Sequence, residues 1–515
     1  MPSLTRRQVL GLAAAGLVAG CTPGRGPDRP KPTVTTPPSA SPPRAADWDR
    51  LRTTIGGTLD LPGSSAYDVS RLVENPRYDG NRPLGVLGAK DDRDVSTALA
   101  FAQDHTIPVA IRSGGHSYPG YSSGGSGAGA ALVIDCRGLA SVSLKGDGSA
   151  VVGAGAALAT VYGAIGDRGR GIAGGSCATV GVGGLTQGGG VGVLVRAYGL
   201  TCDAVTSMQV VTADRKTLTV SAEDEPDLFW ALRGGGGGHL GVVTSFTFKT
   251  FEAPVLHTFY LEWAFESAAQ VVEAWQSWAP TADKRLWSTL KLLGGAAKHP
   301  GGPAILVSGT WTGPQSGLDA QLSGLLSNVP TPTNRSTSSQ GYRDAMMAYA
   351  GCSSLPLAQC HTGPGGGLDR ESFGATSHVG YDLLDAGGIS DLVGRVQDAQ
   401  GTTGLKEAGI SMDALGGAVT DLGAGDTAFV HRKALMTVQY TATFTDGAAA
   451  KTADTFVRGF RDTMTPHWGQ HAYVNYADEA VDDYRQAYFG ANAPRLSQAK
   501  KSYDPDGFFV QRQGL

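Results

Sequence analysis

Three glycine-rich runs constrain the fold of this chain more than any other feature. They read RSGGHSYPGYSSG at 112–124, GGSCATVGVGGLTQGGGVGVLVRAYGL at 174–200 and DLFWALRGGGGGHLGVVTSF at 227–246. Glycine adopts backbone conformations that other residues avoid and lets the main chain approach a bound anion closely. One such run is typical of a turn, whereas three runs between residues 112 and 246 indicate a ligand cradle, although spacing alone does not name the ligand.

The rest of the composition is that of a folded protein. Glycine contributes 75 of 515 residues, but 41% of the chain is apolar and 17% is charged, which excludes a disordered chain. This length predicts two or three domains with sizeable cores. The net charge is −4 and the Lys and Arg residues are scattered, so the sequence does not show the basic cluster that is typical of nucleic-acid-binding proteins. No P-loop motif occurs, and no GxGxxG lies between a clear strand and a helix, so Rossmann and P-loop sites are disfavoured.

Residues 1–21 are typical of an export signal. A pair of arginines, Arg6 and Arg7, precedes the apolar stretch 9–19, which is too short to span a bilayer. The string TRRQVL resembles a twin-arginine signal, the route for proteins exported already folded; the alternative is a Sec signal with chance arginines. Residues 18–21 resemble a lipobox, in which Cys21 is lipidated, and the alternative there is a chance cysteine.

The remaining chain divides into three segments that differ in composition and in their pattern of predicted helices and strands. Residues 22–46 are dense in proline and polar residues and predict an extended linker. Residues 47–252 alternate helix, strand and glycine turn, as in RDVSTALAFAQDH followed by IPVAIR, which predicts an α+β domain. Residues 253–465 carry longer strands, such as LHTFYLEW and ALMTVQYTATF, and amphipathic helices, which predict a second domain.

The cysteines and histidines predict a disulfide and no metal. Cys352 and Cys360 lie close together in a loop-like stretch, GCSSLPLAQC, of a chain that carries an export signal. A disulfide is therefore favoured over a metal site, since no further ligands cluster there. Cys136 and Cys202 are predicted to be small buried side chains. The ten histidines show no HExxH or comparable spacing.

Five motifs, in order along the chain, resemble the signatures of the berberine bridge enzyme-like FAD-linked oxidases of the vanillyl-alcohol oxidase (PCMH) superfamily. They are RSGGHSY, GGSCATVGVGGLTQGGGVG, DLFWALRGGGGGHLGVVTSF, YVNY and YFGANAPRLSQAKKSYDPDGFF. The resemblance implies an α+β fold with a two-subdomain PCMH-type FAD-binding domain at 47–252. It also implies a substrate domain of antiparallel sheet backed by helices at 253–465, and a C-terminal segment, 466–515, that returns to the flavin. The chain departs from the family pattern at Ala178 and at His239-Leu240.

The resemblance further implies FAD held by two covalent bonds, one from His116 to a ring methyl and one from Cys177 to C6. Imidazole and thiolate are nucleophiles that can add to an electron-poor isoalloxazine. Without the family, the two residues would be interpreted as a loop histidine and a structural cysteine. The other implied cofactor positions are Arg112, Ser113, Gly114, Gly115, Ser117, Val180, Gly181, Gly184, Gly188, Gly189, Gly192, Val242 and Asn475.

The family's YxNY motif implies the catalytic base. It matches Tyr473 and Tyr476, of which Tyr476 is the preferred base, with Tyr473 and Asn475 lining cofactor and pocket. Because the ordinary pKa of tyrosine is near 10, its surroundings are expected to depress the pKa. Asp413 resembles a carboxylate that shares this proton in carbohydrate-oxidising relatives. Without the family position, the two tyrosines would be interpreted as a packed aromatic pair.

The reaction expected is hydride removal from an alcohol carbon, with the anomeric carbon of a sugar or oligosaccharide favoured. Val180, three residues after Cys177, matches a position where valine admits O₂, so an oxidase that makes H₂O₂ is predicted and a dehydrogenase with another acceptor is the alternative. A secondary-metabolite oxidase and a non-catalytic binding lipoprotein are the alternative functions. The expected partners are a small-molecule substrate and O₂, with no nucleic acid, membrane contact only through Cys21, and a monomeric protein.

Overall fold

Short strands separated by glycine turns build the part of the chain that carries the three glycine runs. The computed structural model describes residues 42–515, so the predicted signal, Cys21 and most of the linker lie outside the described residues. The strands up to residue 252 are β1 (Thr58–Asp60), β2 (Gly85–Gly88), β3 (Val109–Arg112), β4 (Leu132–Asp135), β5 (Val142–Leu144), β6 (Ala150–Gly153), β7 (Arg170–Gly171), β8 (Val205–Val211), β9 (Thr217–Ser221), β10 (Val242–Phe248) and β11 (Phe251–Glu252).

These strands form three sheets. They have the orders β1-β2-β4-β3, β5-β6-β10-β8-β9 and β11-β7. The helices of this part are α1 (Ala45–Thr54), α2 (Ser65–Ser70), α3 (Asp92–Asp104), α4 (Leu158–Gly166), α5 (Val182–Gln187), α6 (Val195–Tyr198) and α7 (Pro226–Ala231). Strands β2 and β3 both run parallel to β4, and α3 makes the crossover between them. Asp91 caps α3, and the predicted apolar face of this helix, which includes Val95 and Leu99, is fully buried.

Residues 255–444 contribute a seven-stranded antiparallel sheet. Its strands are β12 (Val255–Trp263), β13 (Leu286–Gly294), β14 (Ala304–Trp311), β15 (Asn334–Gly341), β16 (Ser372–Gly380), β17 (Leu405–Ala414) and β18 (Met436–Phe444). Their order is β15-β12-β14-β13-β17-β18-β16. The remaining helices are α8 (Ala268–Trp278), α9 (Leu318–Leu326), α10 (Tyr342–Tyr349), α11 (Ala386–Gly401), α12 (Ala450–Trp468), α13 (Tyr484–Phe489) and α14 (Ala493–Tyr503).

The two faces of this sheet differ in polarity because strand side chains alternate. One face packs its apolar side chains, such as Leu290, Ile410 and Val438, against α8, α11 and α12 in one buried core. Each fully buried aliphatic side chain there stabilises the fold by roughly 1.5–3 kcal/mol. The opposite face carries a polar set made up of Thr289, Lys291, Ser308, Ser411, Asp413 and Gln439. The sheet therefore presents a polar surface that rests on an apolar base.

The C-terminal segment packs into the core of the glycine-rich part. Phe489 and Leu496 share a buried cluster with Trp230 of α7. Lys500 Nζ donates to the carbonyl of His239 at 2.8 Å and forms an ion pair with Asp504 at 2.5 Å. The segment is thereby held against the third glycine run. The predicted domain boundaries themselves stay predictions.

The cysteine predictions agree with the structure. Cys352 and Cys360 form a disulfide, and Cys136 and Cys202 are free and buried. Within residues 42–515, no three His, Cys, Asp or Glu side chains are grouped so that they could hold a metal ion. None of the helices described in this range combines the length and apolar character needed to cross a membrane.

Candidate active site

A cavity of about 540 Å³ lies between the glycine-rich loops and the polar face of the seven-stranded sheet. All three glycine runs contribute to its wall, through segments that include 113–119, 175–177 and 236–239. The sheet contributes its polar set, and the C-terminal segment contributes Val474, Asn475, Tyr476, Ala477, Tyr488, Gln511 and Gln513. The fold thus brings segments from the whole described chain to one site.

Glycines hold the first two loops side by side. A Cβ on Gly181 would clash with the main chain of Gly114, and a Cβ on Gly114 would clash with Gly181 in turn. Only glycine at both positions permits this approach. In the third run, Gly236 and Gly238 have φ values of +87° and +81°, in the left-handed region that favours glycine. The glycines therefore set the spacing and shape of the cavity wall.

His116 faces the cavity with one ring nitrogen occupied. Its Nε2 lies 2.8 Å from Thr179 Oγ1 and 3.7 Å from Glu74 Oε2. Thr362 Oγ1 donates to the same Glu74 carboxylate at 3.1 Å. Burial lowers the pKa of His116, while Glu74 and Thr179 oppose that shift. Burial therefore favours the neutral imidazole, and Nε2 is the ring nitrogen that contacts Thr179 and Glu74.

Cys177 lies on the neighbouring loop with its side chain exposed to the cavity. Although the sulfur is accessible from the cavity, the surrounding protein withdraws it from bulk water and raises its pKa. The charge of Glu74 adds to this shift, and the charge of Lys291 opposes it. The side chain is thus a thiol at neutral pH, which must lose its proton before it acts as a nucleophile.

Tyr476 lines the cavity within an aromatic pair. Its ring stacks on that of Tyr118, with centroids 5.5 Å apart and planes 4° from parallel. Gln439 Nε2 donates to the Tyr118 hydroxyl. Burial raises the pKa of Tyr476 well above its usual value, and the nearby Tyr118 and Asp413 raise it further. The expectation that the surroundings depress the pKa of Tyr476 is therefore wrong for the protein without a bound ligand. Burial and the neighbouring groups all favour the neutral form of this phenol.

Tyr473 does not line the cavity, contrary to prediction. The residue is 1% exposed, and its hydroxyl accepts the N–H of Gly190 at 2.9 Å and the side-chain N–H of Asn475 at 2.9 Å. Its ring contacts that of Tyr476 edge-on, with centroids 4.9 Å apart. Tyr473 therefore supports the wall from behind, where it positions Asn475 and the second glycine run.

Four predicted cofactor residues also lie outside the cavity wall. Arg112 is fully buried, donates to the carbonyls of Ser70 and Leu72 at 2.9 and 3.0 Å, and faces Asp135. Strand alternation explains this position, because the neighbouring Ile111 lines the cavity instead. The other three are Gly188, Gly189 and Val242. Their sequence neighbours Gln187 and Val243 line the cavity instead.

The remaining predicted residues meet at the cavity. They are Ser113, Gly114, Gly115, His116, Ser117, Cys177, Val180, Gly181, Gly184, Gly192, Asp413, Asn475 and Tyr476. Asp413 lies opposite Thr289 on the adjacent strand. Burial raises the pKa of Asp413, while the Thr289 hydroxyl and the charge of Lys291 oppose the shift. Its carboxyl group therefore accepts a proton more readily than an ordinary aspartate does.

Three further cavity residues were missed from the sequence. Tyr118 belongs to the same motif as His116, and its aromatic ring two positions along was a signal that could have been used. Lys291 and Gln439 lie on β13 and β18 of the sheet. No motif marks them, and only strand register places them beside Asp413.

Comparison with known proteins identifies the family. Residues 83–221 match the family model described as FAD binding domain, and residues 472–515 match the model described as berberine and berberine like. The uncharacterized FAD-linked oxidoreductase YgaK of Bacillus subtilis is 30% identical over 472 residues, which cover 90% of this chain and 98% of that protein. The chain belongs to the berberine bridge enzyme-like family of FAD-linked oxidoreductases.

Two further relatives of this berberine bridge enzyme-like protein have names that state an oxidase activity. Chitooligosaccharide oxidase of Gibberella zeae is 29% identical over 485 residues, covering 88% of this chain and 92% of that enzyme. Glucooligosaccharide oxidase of Acremonium strictum, which holds a 6-S-cysteinyl, 8α-N1-histidyl FAD, matches with a TM-score of 0.78 at 24% identity, over 91% of this chain and 98% of that one. The predicted family, α+β PCMH-type fold and FAD-linked oxidoreductase class are confirmed.

Proposed function

We propose that this protein holds FAD through His116 and Cys177 and oxidises the anomeric carbon of a sugar or oligosaccharide, with O₂ as electron acceptor. The observation that carries the proposal is a single cavity lined by both nucleophiles, by Tyr476 and by Asp413. Two hydrogens leave the sugar to give a lactone, and O₂ takes up both to give H₂O₂. We further propose export by the twin-arginine route and an anchor at Cys21.

The residues present fit FAD. His239 Nδ1 and Gln187 Oε1 are buried at the cavity wall with no hydrogen-bond partner within residues 42–515. Such orphaned groups are costly unless a ligand or water satisfies them. Glycine-lined walls let main-chain N–H groups approach a pyrophosphate closely. FAD, when bound, supplies a two-electron acceptor for hydride.

The environment of His116 supports attachment through one nitrogen. Thr179 and Glu74 engage Nε2, so the proton of the neutral ring is favoured there and the lone pair of Nδ1 is free. This is the histidine nitrogen used in glucooligosaccharide oxidase, which also has a cysteinyl link. Cys177 and Val180 line the same wall. The two nucleophiles therefore have the chemistry that a doubly attached flavin requires.

Tyr476 and Asp413 together form the proton acceptor. Because burial keeps Tyr476 protonated, it must pass its own proton onward as it accepts the proton of the sugar hydroxyl. Asp413 lines the same cavity, and its raised pKa suits it to receive that proton. Thr289, Ser411 and the Gln439 amide offer donors and acceptors for sugar hydroxyls.

Asp413→Asn is expected to remove the acid limb of the pH profile for flavin reduction. In the wild type, the rate should rise with pH as Asp413 ionises, at a pH above the usual aspartate range because burial raises its pKa. The asparagine variant should be slower by roughly 100-fold or more, and its rate should be flat over that range. Anaerobic stopped-flow measurements across pH test this. An unchanged acid limb in the variant would exclude Asp413 as the titrating group.

Val180→Leu is expected to slow reoxidation of the reduced flavin by O₂ by roughly tenfold or more while leaving its reduction by substrate nearly unchanged. The larger side chain narrows the cavity at the wall to which Val180 contributes. In the family that this chain resembles, valine at this position admits O₂ to the flavin. Separate reductive and oxidative stopped-flow experiments give the two rates. Val193→Leu, at another valine of the cavity wall, is the matched control. Equal slowing of both half-reactions would remove the support for an oxidase.

Oxygen uptake and H₂O₂ release test the proposed function as a whole. Purified protein should consume O₂ with mono- or oligosaccharides and release one H₂O₂ per lactone. Uptake only with phenolic alcohols would favour a secondary-metabolite oxidase, and flavin reduction without O₂ uptake would favour a dehydrogenase. A colourless protein without flavin would favour the binding lipoprotein.

A further inference from the structure

Glu74 is a carboxylate that lies beside His116 but outside the cavity wall. Its Oε2 is 3.7 Å from Nε2 of the imidazole, and the side chains of the glutamate and the histidine are 18% and 22% exposed. Within residues 42–515, no lysine or arginine side chain forms an ion pair with this carboxylate. A carboxylate that is largely withdrawn from water is stabilised by a neighbouring positive charge, and His116 is the neighbour that can acquire one.

Contacts from distant parts of the chain fix the position of Glu74. Its main-chain N–H donates to the carbonyl of Gly115, in the first glycine run, at 3.2 Å. Thr362 Oγ1 donates to Oε2 of the carboxylate at 3.1 Å, and Arg370 Nε donates to the main-chain carbonyl of Glu74 at 3.3 Å. The backbone and the side chain are therefore both anchored, and the carboxylate stays beside the imidazole.

The charge of Glu74 acts on both proposed attachment residues, in opposite senses. It opposes the burial that lowers the pKa of His116, so it favours the protonated imidazole. It also adds to the burial that raises the pKa of the Cys177 thiol, so it disfavours the thiolate. Removal of this charge is therefore expected to affect the two links differently, whereas a loss of local structure would impair both.

Attachment of FAD to His116 places a positive charge on the imidazole. The bond that forms joins a ring nitrogen to the methyl carbon of FAD, while a C–H bond of that methyl and the N–H bond of the imidazole break. The two electrons of the C–H bond reduce the flavin, and O₂, the proposed acceptor, takes up both electrons and both protons to give H₂O₂. When Nδ1 forms the bond, the ring is cationic until it loses the proton on Nε2, the nitrogen that faces Thr179 and Glu74.

We propose that Glu74 is the positioning residue for the histidyl link to FAD, because its carboxylate keeps the proton of His116 on Nε2 and stabilises the cation that forms as Nδ1 bonds to the flavin. A carboxylate beside an imidazole fixes the tautomer and stabilises the imidazolium in the same way in hydrolytic triads. The inference rests on the proposed function, since it concerns how the same FAD becomes attached.

The test measures the two links separately in the full-length protein. Cys177→Ala leaves the histidyl link, and His116→Ala leaves the cysteinyl link. Each is combined with Glu74→Gln, which keeps the size of the side chain and removes its charge. The proteins are produced in a riboflavin-limited host and mixed with FAD in air, and the covalent fraction is followed over time as the mass of the denatured polypeptide.

Two further variants are controls for charge and for folding. Glu74→Asp keeps the carboxylate on a side chain that is shorter by one methylene, so it should recover part of the histidyl rate. Glu371→Gln removes a carboxylate outside the cavity wall that pairs with Lys406 at 2.7 Å, and it should leave both rates unchanged. Tm values of all variants report their stability.

Glu74→Gln should slow the histidyl link by roughly 10- to 100-fold, as expected for the loss of one charge-assisted contact, and should not slow the cysteinyl link. Equal slowing of both links, or an unchanged histidyl rate, overturns the inference. If the protein with native Glu74 forms no histidyl link, the proposed attachment fails and the inference falls with it. If that protein forms both links and Glu74→Gln forms the histidyl link at the same rate, only the inference fails.

Discussion

Tyr476→Phe should slow reduction of the flavin by a sugar substrate by roughly 10²–10⁴-fold, the usual contribution of a positioned base. The change removes one oxygen and keeps the ring that stacks on Tyr118, so the cavity retains its shape. The loss should appear in the reduction rate more than in substrate affinity, because proton removal is needed in the transition state and not for binding. Anaerobic stopped-flow absorbance measures both quantities.

Tyr473→Phe is the matched control for that substitution. It removes the hydroxyl that accepts hydrogen bonds from Gly190 and Asn475 outside the cavity, so it should lower stability or flavin retention while leaving most of the reduction rate. If Tyr473→Phe abolished reduction and Tyr476→Phe did not, the two tyrosines would have the reverse roles. If neither did, Asp413 would be the remaining proton acceptor.

The double variant with His116→Ala and Cys177→Ala should release all of its flavin on acid precipitation, whereas each single variant should keep flavin on the denatured polypeptide. Each side chain supplies an independent bond, so one bond suffices to retain the ring. Fluorescence of the precipitated chain and of the supernatant measures the distribution. Cys202→Ala, at a buried thiol outside the cavity wall, should change nothing. Free flavin from either single variant would show that only one link exists.

Much of the fold could be predicted because its local signals agree. The apolar spacing of Val95 and Leu99 predicted the buried face of α3, and the pattern after residue 253 predicted longer strands and amphipathic helices. That these form a sheet backed by helices was implied by the resemblance to the family. Two cysteines eight positions apart predicted the disulfide between Cys352 and Cys360. In these cases the sequence pattern and the packing depend on the same few neighbouring residues.

The site was predicted less completely because it depends on register and on side-chain direction. Arg112 adjoins the cavity loop in sequence, yet strand alternation turns it into the interior. Tyr473 matches the family motif as closely as Tyr476 does, and only three-dimensional packing separates their roles. Lys291 is one of many scattered lysines until β13 is paired with β17. Such contacts join residues far apart in sequence, which no local pattern records.

The central claim is that one flavin is bound to both His116 and Cys177 in this cavity, and proteolysis of the native-sequence protein followed by mass spectrometry tests it most directly. The account predicts a single species in which the peptide of RSGGHSY and the peptide of GGSCATV are joined through one FAD-derived group, with neither peptide recovered in free form. Recovery of both peptides unmodified, or of flavin on one peptide alone, would contradict the account.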